Sequence, residues 1–274
     1  MKKHWISYPY IVWMIIFTIV PLFLILGYSI IVKDSNGIHF TFQNIERVFQ
    51  PLYINVLIRS IRLALISTVL CLVLGYPIAM ILSERHLSKT NILVVLLIIP
   101  MWMNFLARTY AWMTLLERNG LINSVLRYIN LPDINILYTD KAVILGMVYN
   151  FLPFMVLPIY SVMSKTDRSI IEAAEDLGAT SFTKFKRIIL PLSLPGVVSG
   201  ITMVFMPAVT TFVISKLLGG NNYTLIGNLI ERQFLETSDW GFGSSLSLVL
   251  MIFILLSMGI MSRYEKENEG GGLW

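Results

Sequence analysis

Apolar residues in this chain gather into long unbroken runs, without the alternation of half-buried strands or the single stripe of surface helices. A helix needs about 20 mostly apolar residues to cross the roughly 30 Å hydrocarbon core of a bilayer. Six stretches reach that length: Tyr8 to Val32, Ser60 to Leu82, Asn91 to Leu116, Ala142 to Met163, Leu190 to Leu218 and Ser244 to Met261. The third and fifth are long enough to tilt or break. They contain Pro100 and Pro207, each of which removes a backbone hydrogen bond. The pattern predicts an all-α polytopic membrane protein with about six transmembrane helices in a single domain, residues 1–274. Its core is expected over 60–263 and its first helix over 8–32, and the polar, Gly-rich end from 264 reads as disordered.

Composition sharpens this reading. The chain is 56% hydrophobic and only 14% charged, with a mean hydropathy of +0.73. A soluble domain carries about 25% charged residues, so lipid is the expected solvent. The net charge of +5 then belongs to loops held on the cytoplasmic side rather than to nucleic-acid binding. Lys and Arg are denser in the N-terminal segment, Ser83 to Thr90, Ser164 to Ile189 and the tail than in the longer connections between them. That asymmetry puts both termini in the cytoplasm. The apolar run after Met1-Lys2-Lys3 is long enough to span. The first alanine of the chain is Ala64, so an Ala-x-Ala cleavage site is absent there and the first helix is expected to be retained. Cys71 is the single cysteine, which excludes an intrachain disulfide.

Most of the chemistry lies between the fourth and fifth runs, from Ser164 to Pro191. Asp167 or Ser169 can cap a short helix at its start. Gly178 can supply the left-handed residue that ends it, and Thr180 or Ser181 can cap a second. Ile170, Ile171, Ala174 and Leu177 form a small apolar face, and Lys184, Lys186 and Arg187 form a basic edge. Two readings of these residues stay open: an amphipathic helix on the membrane surface, or a docking element for a partner.

Glu172-Ala173-Ala174, three residues, Gly178, nine residues, Ile188, one residue and Leu190-Pro191 resemble the EAA loop of ATP-binding-cassette (ABC) importer permeases. The match holds in residue type and in spacing. The resemblance implies a type I importer permease fold and a cytoplasmic coupling helix over 164–191 that seats in a groove of an ATPase subunit. Glu172, Ala173, Ala174 and Gly178 would be the coupling contacts, with Ile188, Leu190 and Pro191 anchoring the loop to the fifth helix. Leu74-Gly75-Tyr76-Pro77, Ile99-Pro100-Met101-Trp102, Leu152 to Pro158, Leu225-Ile226-Gly227-Asn228 and Asp239-Trp240-Gly241-Phe242-Gly243 look like spermidine/putrescine permeases. That likeness implies a second homologous permease, an ATP-binding subunit dimer that holds ATP and Mg, and an extracytoplasmic polyamine-binding protein, all in a bacterial inner membrane. Permeases for other small substrates share the framework. An ion-coupled secondary transporter is the other transport class, and it would show repeated halves and intramembrane acids.

A cation path could be built from aromatic faces and amide oxygens. Trp102, Asn104, Tyr110 and Trp112 on the third helix and Tyr149, Asn150, Phe154 and Tyr160 on the fourth are its candidates. Acids lie near the outer ends, at Glu117, Asp140, Glu231, Glu236 and Asp239. Arg108 is expected toward the outer end, snorkelling to water, and Gly196-x-x-x-Gly200 suggests a close helix contact between permeases. A P-loop, His-Glu-x-x-His and Gly-x-Ser-x-Gly are all absent, and His4, His39 and His86 are scattered. The chain is therefore read as a transport subunit with no catalytic or metal-binding residues and no cofactor of its own.

Overall fold

A computed structural model describes residues 8–34, 37–83, 90–220 and 223–269. The N-terminal basic segment with His4, the 84–89 connection with His86, and the tail beyond Glu269 lie outside them. Helix α1 (Tyr8–Met14) passes through one π turn, Ile15–Ile19, into α2 (Val20–Ser29), forming a first span with almost no buried surface. A short antiparallel hairpin follows, β1 (Ile31–Asp34) and β2 (Gly37–Phe40), with Ile31 opposite Phe40. Helix α3 (Gln43–Val48) then leads into α4 (Pro51–Ser83), a second span of 33 residues.

The third apolar run is broken. Helix α5 (Thr90–Trp102) ends at Trp102, and α6 (Phe105–Leu116) leaves at a bend of 92°. Helix α7 (Leu121–Tyr128) follows, and α8 (Asp140–Lys165) is the next full span. The loop helices are α9 (Arg168–Asp176) and α10 (Ser181–Lys184). A π turn, Phe185–Ile189, joins α10 to α11 (Leu190–Thr210), so that 181–210 is one continuous span. The fifth run therefore starts nine residues before Leu190 and stops at Thr210. Its expected last turns are a separate helix, α12 (Val213–Leu218). After α13 (Ile226–Leu235), α14 (Trp240–Glu269) completes the fold, and it stays helical through the first part of the tail read as disordered. Five helices are long and apolar enough to cross a membrane, and six spans result if the bent pair counts as one.

The centre is a tight group of α4, α8 and α11. The buried face of α4 carries Ser60, Ala64, Thr68, Cys71, Gly75 and Ala79, mostly small residues at helical spacing. Small side chains let membrane helices approach until dispersion contacts and interhelical hydrogen bonds hold them. A Cβ on Gly75 would lie 3.0 Å from Met155 Cγ of α8. Gly196 and Gly200 lie on the same kind of contact. A Cβ on the first would come within 2.8 Å of the Pro158 carbonyl oxygen, and on the second within 2.8 Å of Met155 Sδ. The Gly-x-x-x-Gly face is thus consumed inside this chain, against α8, and does not serve a second permease.

The break between α11 and α12 is closed by α13. Asn228 donates from Nδ2 to the Phe212 carbonyl (2.8 Å), and its Oδ1 accepts from Ser215 Oγ (2.5 Å) and the Leu225 amide (3.3 Å). The Ile226 amide donates to Ser60 Oγ of α4 at 2.8 Å. Gly227 presses backbone on backbone, where a Cβ would meet the Thr210 carbonyl oxygen at 2.5 Å. Outer connections are held by ion pairs. Asp140 at the start of α8 binds Arg59 (2.7 Å) and Arg62 (3.3 Å) of α4 and accepts from the Tyr223 hydroxyl (2.6 Å). The Arg59 guanidinium also lies over the Tyr223 ring, at 4.1 Å. Burial and the neighbouring carboxylate raise the Tyr223 hydroxyl above the ordinary phenol range, so it remains a proton donor.

Gly227→Ala should destabilise the protein by about 1–3 kcal/mol, because the added methyl must push two backbones apart. Gly27→Ala, where a Cβ meets nothing within 4 Å, should be neutral or slightly stabilising. Thermal unfolding of both variants in detergent micelles checks the pair.

Candidate coupling loop and translocation face

The loop after α8 is built by its caps. Asp167 accepts from the Ser169 amide at 3.0 Å and starts α9. Gly178 sits at φ +77°, its amide donates to the Glu175 carbonyl (2.8 Å), and the Ala179 amide donates to the Ala174 carbonyl (2.9 Å). This pair of bonds is a Schellman ending, which requires the left-handed residue that glycine supplies without strain. Thr180 accepts from the Thr183 amide at 3.3 Å and starts α10. A Glu175–Lys184 ion pair ties the two short helices together.

Glu172, Ala173 and Gly178 are exposed, whereas Ala174, Ile188 and Leu190 are half-buried and Pro191 is exposed at the start of α11. The apolar face expected of α9 is divided. Ile171 and Ala174 turn toward the bundle, while Ile170 is 45% and Leu177 89% exposed. Phe182 is 72% exposed beside them. Lys184 leaves the expected basic edge for its bond to Glu175, and Lys186 and Arg187 remain exposed. Behind the loop, Phe185 meets Tyr76 of α4 edge-on at 5.8 Å, and the Tyr76 hydroxyl shares a 2.9 Å hydrogen bond with Ser193 of α11. A cavity of about 650 Å³ separates loop and bundle, lined by Met80, Met163, Ile171, Phe185, Ile188 and other residues.

The path candidates fall into two groups. Trp102 is 82% exposed, Tyr110 50%, and Tyr149 and Phe154 37% each. Trp112 stacks edge-on against Tyr149 at 5.2 Å. Asn150 and Tyr160 point into the packed helices instead. Asn150 is 1% exposed and donates to the Gly146 carbonyl at 2.9 Å, with no partner for its Oδ1, while Tyr160 packs against the core. Asn104 is the N-cap of α6, accepting from the Leu106 amide (2.8 Å) and the Ala107 amide (3.3 Å). Arg108 does not snorkel: it is 8% exposed on the inward face of α6. Four outer acids are not free for a cation. Asp140 is held by Arg59 and Arg62, Asp239 by Arg47, Glu231 by Lys216 and Glu236 by Arg232. Glu117 is exposed beyond the end of α6. No group of three or more His, Cys, Asp and Glu that could hold a metal occurs among the described residues.

Residues 1–267 match the family described as binding-protein-dependent transport system inner membrane component. The chain belongs to that family. It is the permease component of an ABC importer, a multi-pass inner-membrane protein. This permease is 42% identical to the spermidine/putrescine transport system permease protein PotB of Escherichia coli K12, over 93% of its own length and 94% of the relative's. Its identity to the PotB protein of Haemophilus influenzae is 38%, over 93% and 91%. The permease fold also superimposes on a solved bacterial ABC transporter for the acidic polysaccharide alginate, with a TM-score of 0.78, 17% identity and 96% of each chain covered. The MetNI methionine ABC transporter gives a TM-score of 0.56 at 15% identity, covering 80% of this permease and 99% of that chain. At such identities the two structures speak for the fold alone.

Gly178→Ala should cost the loop about 1–2 kcal/mol through the left-handed backbone, since a Cβ there meets nothing else within 4 Å. Faster amide exchange across α9 and α10, with unchanged protection in α4 and α8, is the expected signature in hydrogen-exchange mass spectrometry.

Proposed function

We propose that this permease carries spermidine or putrescine inward as one half of a two-permease pathway, driven by an ATP-binding subunit dimer and fed by an extracytoplasmic polyamine-binding protein. ATP and Mg belong to the ATPase, and this chain performs no chemistry of its own. The observation that carries the coupling part is the uncovered pair Leu177 and Phe182 on a loop whose backbone is fixed by three caps. Large apolar side chains held rigidly in water favour burial against another protein. Glu172, Ala173, Ala174 and Gly178 lie in the same turn and would share that contact, with Ile188, Leu190 and Pro191 passing its movement into α11. This reading places the loop and both termini in the cytoplasm. The substrate class is supported by relatives of 38–42% identity over nearly the whole chain that bear the spermidine/putrescine name.

For the path, the supporting observation is the break after Trp102. Thirteen residues of α5 rise only about 20 Å, short of a roughly 30 Å core. Irregular backbone at membrane depth is tolerated only where protein covers it or water lines it. Trp102, Asn104 and Tyr110 are uncovered in this chain, so their face meets either the second permease or the aqueous path. With Trp112, Tyr149 and Phe154 beside them, they would offer aromatic faces and an amide to a passing cation. Asn150 and Tyr160 would support that wall from behind.

Reconstitution with the second permease, the ATPase and the polyamine-binding protein should give uptake of labelled spermidine or putrescine that requires ATP. Leu177→Lys should fold and insert normally, because the side chain is exposed and a basic residue suits a helix C-terminus. It should nevertheless lose ATPase association and uptake together. A stable complex that hydrolyses ATP and moves neither polyamine would remove the substrate assignment. Full uptake by Leu177→Lys would remove the docking role.

A further inference from the structure

Tyr76 of α4 holds both ends of the π turn through which the loop enters α11. Its ring meets Phe185, the first residue of the turn, edge-on at 5.8 Å. Its hydroxyl and Ser193 Oγ lie 2.9 Å apart. Ser193 is 1% exposed, and its one hydroxyl proton goes to the Leu190 carbonyl at 2.9 Å. The Tyr76 hydroxyl is therefore the donor in the bond the two share. The Leu190 amide in turn donates to the Phe185 carbonyl, the five-residue bond that closes the turn. The contacts form a closed ring that runs from Tyr76 through Ser193, Leu190 and Phe185 back to Tyr76.

A π turn holds one residue more than the α turn it replaces. Slipping by that residue would rotate α10 by about 100° and shift it about 1.5 Å against α11. The turn could thus absorb a movement of α10 instead of passing it on. Two features leave its register weakly held apart from Tyr76. Pro191 has no amide to donate to the Arg187 carbonyl, so one backbone bond is missing where the turn meets α11. Phe185, Ile188 and Ile189 line the cavity of about 650 Å³ behind the loop, so close packing does not fix them from that side. Lys186 and Arg187 are exposed. We propose that Tyr76 is a positioning residue for coupling: its hydroxyl keeps the π turn in register, so that α10 and α11 move as one rod. Without that bond the ATPase turns over while α11 stays behind.

The inference rests on the docking reading of the loop, and the wild-type complex tests that reading first. If no ATPase subunit co-purifies with this chain, that reading fails and the inference falls with it. If one does, Tyr76→Phe keeps the ring against Phe185 and removes only the hydroxyl. In proteoliposomes holding the full importer, labelled polyamine taken up per ATP hydrolysed should fall about three- to tenfold, the equilibrium weight of one neutral hydrogen bond. ATPase association, hydrolysis rate and thermal unfolding should stay as in the wild type. Ser193→Ala should show a similar fall, and the double variant should fall no further than the lower single, because the two side chains share one bond. A second measurement needs no substrate. Spin labels on Ser181→Cys and Met203→Cys, both exposed, lie at the two ends of the rod, about 33 Å apart by helical rise. Adding ATP should leave one distance in the wild type and spread it in Tyr76→Phe. A Tyr76→Phe importer with the wild-type ratio and a single distance overturns the proposal. So does a wild-type distance that itself changes with ATP, or losses that add in the double variant. Hydrolysis that falls in step with uptake, or loss of ATPase association, leaves Tyr76 a merely structural role and also overturns it.

Discussion

A helix that breaks inside a bilayer exposes amides and carbonyls for which lipid has no partner, and each costs several kcal/mol if left alone. This chain breaks twice beside its apolar helices, and much of the fold is arranged around satisfying the two breaks. At Thr211–Phe212 the solution is internal. Asn228 supplies a donor and an acceptor to the freed backbone, Ser215 and Leu225 complete its bonds, and Gly227 lets α13 lie directly on the exposed turn. Ser60 anchors the same helix start to α4. One amide side chain thus joins the break after α11 to α12 and α13, with α4 fastened two residues away. At Met103–Asn104 the solution is only half internal. Asn104 satisfies two amides of its own helix, but the turn stays uncovered.

The central packing explains how a contact at the loop could move the region around the Asn104 break. Helices α4, α8 and α11 meet through glycines and small residues that let them pack closely around Met155. The second half of the coupling loop is not merely attached to a spanning helix. Through the π turn at Phe185–Ile189 it is the beginning of one, 30 residues long, or about 45 Å by helical rise. Tyr76 touches both ends of the junction, Phe185 on the loop side and Ser193 on the membrane side. On the proposed docking role, the cavity behind the loop would leave α9 room to shift while α10 draws on α11.

Local signals were legible in the sequence where the physics is local. Asp167, Gly178 and Thr180 stand where capping and left-handed geometry require such residues, and each takes that role. The spans were legible from length and hydropathy, with ends that differ by a few residues. The breaks were not. Pro100 and Pro207 drew attention, yet both prolines remain inside helices, and the breaks begin three and four residues later. A proline strains the turn before it. Where the chain then departs depends on what can end and restart the helix, here the Asn104 side chain and, remotely, Asn228. The ion pairs of Asp140 and Asp239 join residues 81 and 192 apart, so no local pattern could show that those two carboxylates are occupied, whereas Arg232 and Glu236 stand at helical i,i+4 spacing. The burial of Arg108 escaped for the same reason, because the bend that carries it inward is tertiary.

The occupied acids change the physical picture of transport. Carboxylates waiting at an outer mouth would hold a polycation strongly and slow its release. Here Asp140, Asp239 and Glu231 each balance a basic residue and fasten one helix or loop to the next, while Glu236 pairs with Arg232 within the last turn of α13. If Trp102, Asn104, Tyr110, Trp112, Tyr149 and Phe154 line the path as proposed, a polyamine would meet aromatic faces and an amide oxygen, which bind cations more weakly than a bare carboxylate does. Weak interior binding suits an importer whose affinity resides in a separate binding protein, since the substrate must leave the path as readily as it enters.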